Sequence, residues 1–154
     1  KNVHVSYDIY GPVYNEEYWS ECKKVIERMP ANVTINYKGS LQGDKVLETL
    51  GHYHAMFMPT NGENFGHTIL ESFMAATPVI ISQNTPWRAL ETAKSGWDLS
   101  LQEPESFVDT IVNLAAMDQA TFDLWSESAQ RFAERFMKNN SILEQNIKLF
   151  EDER

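Results

Sequence analysis

The sequence predicts an α/β fold, a doubly wound and mostly parallel sheet flanked by helices, with further helices at its C-terminal end. Three observations predict it. Residues 56–88 read as strand, glycine-bearing loop, helix, strand and loop. Strand and helix signals alternate on both sides of that unit, as β-α-β-α-β-α-β-α-β in all. Beyond about Leu101 the strand signals stop and only helical periodicity remains. Two strands joined through a helix run parallel, so the alternation implies a parallel sheet covered by helices.

The elements follow in order. Residues 2–10 alternate Val3, Val5, Tyr7 and Ile9, a strand ending at Gly11-Pro12. Asn15 is placed to cap a helix to about Met29, with Tyr18, Cys22, Val25 and Ile26 as its inward stripe. Residues 33–37 form a short strand, 38–43 a loop, and 44–53 a helix carrying Val46, Leu47 and Leu50. The apolar run 55–59 is a buried strand closed by Pro59. Residues 60–66 hold two glycines, two asparagines and Glu63, a turn composition. Asn64 is the expected cap of a helix from about Phe65 to Ala76, with Ile69–Phe73 and Leu70–Met74 paired at i,i+4. Residues 78–82 give the next strand. Thr85 caps and Pro86 starts a helix to about Lys94. Residues 97–101 are a last strand, followed by helices from Pro104 to about Met117, from an Asp118 cap to about Met137, and from a Ser141 cap onward. That last helix carries Ile142, Leu143, Ile147 and Phe150. No internal repeat, low-complexity tract or linker interrupts the chain, which reads as one domain.

Composition narrows the function classes. At 154 residues and 42% hydrophobic content the chain buries a core as one unit. No apolar run approaches the roughly 20 residues of a membrane span. The single cysteine, Cys22, excludes an intrachain disulfide. A formal charge of −9 argues against nucleic acid as a partner, and any phosphate site must be local.

Residues 60–71 supply such a site. A loop at the carboxyl end of a strand leads into a helix, so the N–H groups of Phe65, Gly66, His67 and Thr68 would face an anion. Glu63 precedes the helix and Glu71 lies within it, roughly 8 Å further along the axis, too far apart for a close carboxylate dyad. Carboxylates accept paired bonds from vicinal hydroxyls, the groups that sugars and riboses offer. On local grounds alone, Glu63 equally reads as a residue favoured by the helix dipole, a stabilisation of up to about 1 kcal/mol. Glu71 equally reads as a solvated helix residue. His52 and His54 are expected to point oppositely on a strand with no third ligand nearby, which argues against a metal pair.

Glu63-Asn64-Phe65-Gly66, the Glu-x7-Glu spacing to Glu71, and Thr77-Pro78-Val79 resemble the donor-binding segment of retaining glycosyltransferases of the GT-B fold. The resemblance is to the large group 1 family of bacterial polysaccharide and lipopolysaccharide enzymes, which includes sucrose synthase-like members. It extends more loosely from Val3 to about Pro104 through Gly11-Pro12, Tyr37-Lys38-Gly39, Pro86-Trp87 and Gly96-Trp97. It implies a Rossmann-like domain, half of a GT-B two-domain enzyme, and a hexose transferred with retention from a nucleoside-diphosphate sugar to a glycan or lipid-linked acceptor.

By that resemblance Glu63 is the catalytic-side residue, near the anomeric centre of the transferred sugar. Asn64, Phe65, Gly66, His67 and Thr68 offer backbone donors to sugar hydroxyls and phosphate. Glu71 binds the ribose hydroxyls, Gly39, Ser40 and Leu41 line the base pocket, and Gly11 faces the diphosphate. The resemblance implies no cofactor and no bound metal, a cytoplasmic location that extends to the inner membrane face, and an acceptor site in an N-terminal half. It also implies that a strand-helix unit belongs before Val3 and that this piece alone binds rather than turns over. Arg88, at the same sheet edge, reads as a surface cation. Relatives usually carry glycine where Ala76 stands, and alanine there avoids a Cβ penalty only at negative φ. Two other classes fit the residues less well. A non-catalytic domain of the same fold is opposed by the presence of both glutamates. A dinucleotide-binding or phosphoacceptor domain lacks its Gly-x-Gly-x-x-Gly fingerprint or its acidic cluster.

Overall fold

The computed structural model describes residues 3–138, so the helix expected after Ser141 lies outside the described residues. The elements are β1 (Val5–Tyr10), α1 (Glu16–Ile26), β2 (Val33–Gly39), a 3-10 turn (Gly43–Lys45) running into α2 (Val46–Leu50), β3 (Met56–Met58), α3 (His67–Met74), β4 (Val79–Ser82), β5 (Gly96–Leu99), α4 (Pro104–Ala115) and α5 (Gln119–Lys138). Every strand pair is parallel, as the βαβ alternation requires. The strands form two ladders, however. β1 pairs with β2, and β3, β4 and β5 follow in that order in a second ladder.

β4 is the centre of the core. All four of its residues are buried, because helices cover both its faces. Val79 and Ile81 meet Ile69 and Phe73 of α3 and Ala129 and Ala133 of α5, while Ile80, on the opposite face, meets Trp97 and Phe107. The small side chains of Ala129 and Ala133 let α5 lie close to α3, with Phe73 and Phe132 rings 5.0 Å apart. On the other face Trp97 of β5 stacks on Trp125 at 4.1 Å.

Several expected boundaries move, each for a local reason. Asn15 caps α1, accepting from the Tyr18 N–H at 2.9 Å, but the helix ends at Ile26. Cys22 and Ile26 of the expected inward stripe are half-buried, but its other two members are not. Tyr18 and Val25 are exposed at 71% and 55%, and Trp19 instead packs on Tyr37 with ring centroids 4.8 Å apart. The helix expected over 44–53 is a 3-10 turn followed by five helical residues. No helix forms over 86–94. The Thr85 hydroxyl accepts from the Trp87 N–H at 3.3 Å, and Asp98 Oδ1 captures the Leu90 N–H at 3.0 Å. Those bonds hold a run of turns that buries Trp87 and Leu90 together. His52 and His54 stand in a turn, not on a strand.

The C-terminal end of α3 is a Schellman turn: Thr77 N–H donates to Ser72 O at 2.9 Å and Ala76 N–H to Phe73 O at 3.0 Å. It places Ala76 at φ 57, in the left-handed region. A side chain there costs roughly 1–2 kcal/mol. Ala76→Gly removes that strain and loosens the unfolded chain by about 0.4–1 kcal/mol, so it is expected to stabilise the fold by about 0.5–1 kcal/mol. Urea denaturation checks this, and a loss of stability would contradict the strain assignment.

Candidate functional site

The loop between β3 and α3 is built by its own hydroxyl and by the loop after β4. Thr60 Oγ1 donates to Gly62 O at 2.9 Å and accepts from the Gly62 N–H at 3.2 Å, closing a side-chain turn. Three bonds then tie the loop to residues 82–87. Ser82 Oγ donates to Thr60 O, Glu63 N–H donates to Asn84 O at 3.1 Å, and Trp87 Nε1 donates to Phe65 O at 2.6 Å. The Phe65 ring turns inward, 5.7 Å from Trp87 and 6.0 Å from Phe136.

These ties fix the start of α3, and it differs from the sequence expectation. The helix begins at His67 and the capping position is Gly66, not Asn64. Gly66 is buried at φ 77, and a Cβ on it would lie 2.7 Å from Ile69 Cδ1 and 3.1 Å from Glu63 Cγ. Only glycine lets Glu63 fold back so closely over the helix start. Asn64 instead gives its N–H to Glu63 Oε1 at 3.1 Å. Because the cap is a glycine, no capping side chain bonds to the helix end. Among the described residues the N–H groups of Phe65, Gly66, His67 and Thr68 have no protein acceptor. Among the described residues four successive amides at the start of an eight-residue helix are thus left without a protein acceptor, the kind of group that anions pair with.

Next to it runs a groove of about 400 Å³ between β1 and β3. Its mouth is formed by Gly11 and Pro12 after β1, Ser40 and Leu41 after β2, and Thr68 at the start of α3. All of these follow the carboxyl ends of parallel strands, where ligands of open α/β sheets bind. The structure therefore brings Gly11, Ser40, Leu41 and Thr68 to one place. Gly39, at φ 75, stands behind them, with its carbonyl accepting from the Gly11 N–H at 2.9 Å. Glu63, Asn64, Phe65, Gly66, His67 and Glu71 are not among the groove's lining residues. Glu63, Asn64 and His67 are exposed on the loop and first turn, and Glu71 is half-buried one turn further along α3. Glu63 on the loop and Glu71 on α3 thus stand on either side of the free amides without lining the groove.

Three residues given no role from the sequence shape this region. Trp87 is one. The others are Asp8 and Tyr53 in a network across the strand ends. Asp8 Oδ2 accepts from Tyr53 at 2.7 Å, its Oδ1 accepts from Asn36 at 2.8 Å, and Lys38 Nζ lies 3.5 Å away. The Tyr53 and Asn36 donors hold the Asp8 carboxyl below its ordinary range, with a smaller contribution from Lys38. Burial, then its bonds to Tyr10 and Asp8, pushes the Tyr53 hydroxyl up. Asp8 falls on the polar side of the β1 alternation with His4 and Ser6, so the strand pattern gave no signal for this network. Tyr53, which follows a helix in a turn, gave none. Arg88 donates to the carbonyls of Gln83 and Trp87, so its guanidinium braces its own loop. Among the described residues no group of three or more His, Cys, Asp or Glu side chains is arranged to hold a metal ion.

The sequence profile described as "Glycosyl transferases group 1" matches residues 1–135. The chain belongs to that family. No curated protein sequence matches it significantly. Among solved structures, this group 1 glycosyltransferase chain is similar to WaaG, a glycosyltransferase involved in lipopolysaccharide biosynthesis, with a TM-score of 0.65 and 18% identity over 82% of the chain. It is similar also to AviGT4, a glycosyltransferase involved in avilamycin A biosynthesis, with a TM-score of 0.52 and 19% identity over 88% of the chain. At these identities the likeness speaks for the fold alone, a Rossmann-like arrangement of parallel strands and helices. The chain spans 33% and 42% of those two proteins. Among the described residues no helix is long and apolar enough to cross a membrane.

Trp87→Phe keeps most of the aromatic volume and deletes the donor to Phe65 O. It is expected to lower stability by about 2–4 kcal/mol through the unpaired carbonyl and the space left behind. Urea denaturation measures the loss. A change below about 0.5 kcal/mol would show that the loop holds its shape without this bond.

Proposed function

We propose that this chain is the donor-binding domain of a retaining glycosyltransferase, which moves a hexose from a nucleoside-diphosphate sugar to a glycan or lipid-linked acceptor. The observation that carries the proposal is the row of four free amides at the glycine-capped start of α3, beside a groove at the strand ends. A pyrophosphate suits the amides, and its nucleoside suits the mouth formed by Gly11, Ser40, Leu41 and Thr68.

In this reading the chemistry is electrostatic. As the bond from the sugar to the diphosphate breaks, negative charge gathers on the leaving phosphate oxygens. Fixed N–H dipoles pointed at those oxygens stabilise that charge without reorganising. A carboxylate repels phosphate, so Glu63, held beside the helix start, instead accepts from the hydroxyls of the sugar. Glu71, one turn along, accepts from the vicinal ribose hydroxyls. The carboxylates so grip neutral polar groups at two points of one ligand, and the amides take the charged middle. Retention, the acceptor and independence from a metal are parts of the proposal that rest on the family resemblance.

Calorimetry on the intact protein with UDP-, GDP- and ADP-sugars tests the reading. One donor is expected to bind, and Glu71→Ala is expected to weaken it about 10- to 100-fold, the worth of a charged hydrogen bond. Absence of binding by every donor overturns the function, and unchanged affinity in the variant overturns the ribose assignment.

A further inference from the structure

Asp8 and Tyr10 stand two residues apart on β1, so their side chains leave the same face of the ladder. Both line the groove between β1 and β3, and so does Tyr53. Hydrogen bonds join the three side chains in one row. Tyr53 Oη donates to Asp8 Oδ2 at 2.7 Å, and the Tyr10 and Tyr53 hydroxyls lie 2.9 Å apart. The two rings meet edge to face, with centroids 6.3 Å apart. The row ends at Tyr10, which is 38% exposed and directly precedes the Gly11-Pro12 turn at the mouth.

Proton count fixes the direction of every bond in this row. A phenol carries one proton, and an ionised carboxylate carries none. Asp8 is ionised, its carboxyl held below the ordinary range by donors on both oxygens, Tyr53 on Oδ2 and Asn36 Nδ2 on Oδ1 at 2.8 Å. The single proton of Tyr53 is therefore committed to Asp8. The Tyr53 oxygen meets Tyr10 as an acceptor, and the single proton of Tyr10 is committed to Tyr53. Only lone pairs are left on the Tyr10 oxygen. A tyrosine hydroxyl ordinarily serves either way, but this one can only accept from a ligand.

We propose that Tyr10 is a specificity-determining residue of the nucleotide site, accepting from an N–H on the edge of the nucleobase, and that Asp8 is a positioning residue that acts through Tyr53 to keep that hydroxyl an acceptor. The inference rests on the proposed donor-binding function. The chemistry of the ligand supports it. Diphosphate oxygens are acceptors, so a second acceptor disfavours them and admits the N–H groups of a base. Leu50, Met56, Phe57 and Met58 also line the groove, and its volume of about 400 Å³ falls among those of small-molecule sites. A flat base with apolar faces and polar edges suits that lining. The row thus sets which way round the ligand lies, with the base beside Tyr10 and the diphosphate toward α3.

Asp8→Asn reverses the row without altering Tyr10. The new amide oxygen accepts from Asn36 and its NH2 donates to Tyr53. Tyr53 then donates to Tyr10, whose proton turns toward the ligand, donor against donor. Calorimetry on the intact protein with UDP, GDP, ADP and inorganic pyrophosphate tests this. For the nucleotide that binds, Tyr10→Phe is expected to weaken affinity about tenfold and Asp8→Asn by at least as much, with pyrophosphate affinity unchanged within about twofold. In the Tyr10→Phe background Asp8→Asn is expected to change nothing further, because the hydroxyl it turns is gone. Unchanged nucleotide affinity in Tyr10→Phe overturns the proposal. An equal loss for pyrophosphate overturns it as well, since it marks a general disturbance of the site. A loss from Asp8→Asn that persists in the Tyr10→Phe background leaves Asp8 a purely structural residue and overturns the relay. Each of these results leaves the proposed function standing, whereas absence of wild-type binding by all three nucleotides overturns both.

Discussion

The bond from Trp87 Nε1 to Phe65 O holds the arrangement on which the rest depends. A helix start with four unsatisfied amides is open to rearrangement, because any nearby side chain or carbonyl lowers the energy by folding onto it. Here that collapse is blocked from behind. The Phe65 carbonyl is taken by an indole that is itself 5% exposed, and the Phe65 ring is locked among Trp87 and Phe136. With Glu63 N–H on Asn84 O and Ser82 on Thr60 O, the β3–α3 loop is fastened to the β4 loop at three points. The open amides thus persist as a consequence of packing elsewhere, and glycine at position 66 adds no capping side chain of its own.

Much of this was legible in the sequence, and what was not has physical reasons. The parallel strands and the order of elements followed from apolar runs and from the need to cross over between them. Residues 78–82 read as an apolar strand, and 79–82 form one buried throughout, whereas the run 55–59, which reads as a buried strand, yields a β3 that is only half-buried. The expected helix over 86–94 rested on two local signals, a threonine cap and a proline at the first position. Local propensity lost to tertiary demand, since Trp87 and Leu90 both enter the core and Asp98 takes the Leu90 N–H away from any helix. Asn64 looked like a cap because its type and place were right. The contest went to Gly66, which alone tolerates the left-handed turn with Ile69 and Glu63 pressed against it.

The site residues divide in the same way. Gly11, Ser40, Leu41 and Thr68 meet at one mouth because parallel strands deliver their following loops to one edge. Glu63 and Glu71 were tied by spacing in the sequence, and the structure puts one on the β3–α3 loop and the other on α3, both outside that mouth. Trp87 was visible only as part of a motif. Its task, bracing a loop from a different stretch of chain, is a long-range contact that no local pattern encodes. The split between the two ladders was equally invisible, since each strand looks complete by its own alternation.

The most direct test of the central claim is an NMR titration of the intact protein with UDP, GDP and ADP. The amide resonances of Phe65, Gly66, His67 and Thr68 are predicted to move together and more than any others, with a common saturation curve, as phosphate oxygens occupy their free N–H groups. If a nucleotide binds while these four stay still and the shifts gather elsewhere, the helix start is not the anion site, and the reading of this loop as a pyrophosphate cradle is contradicted.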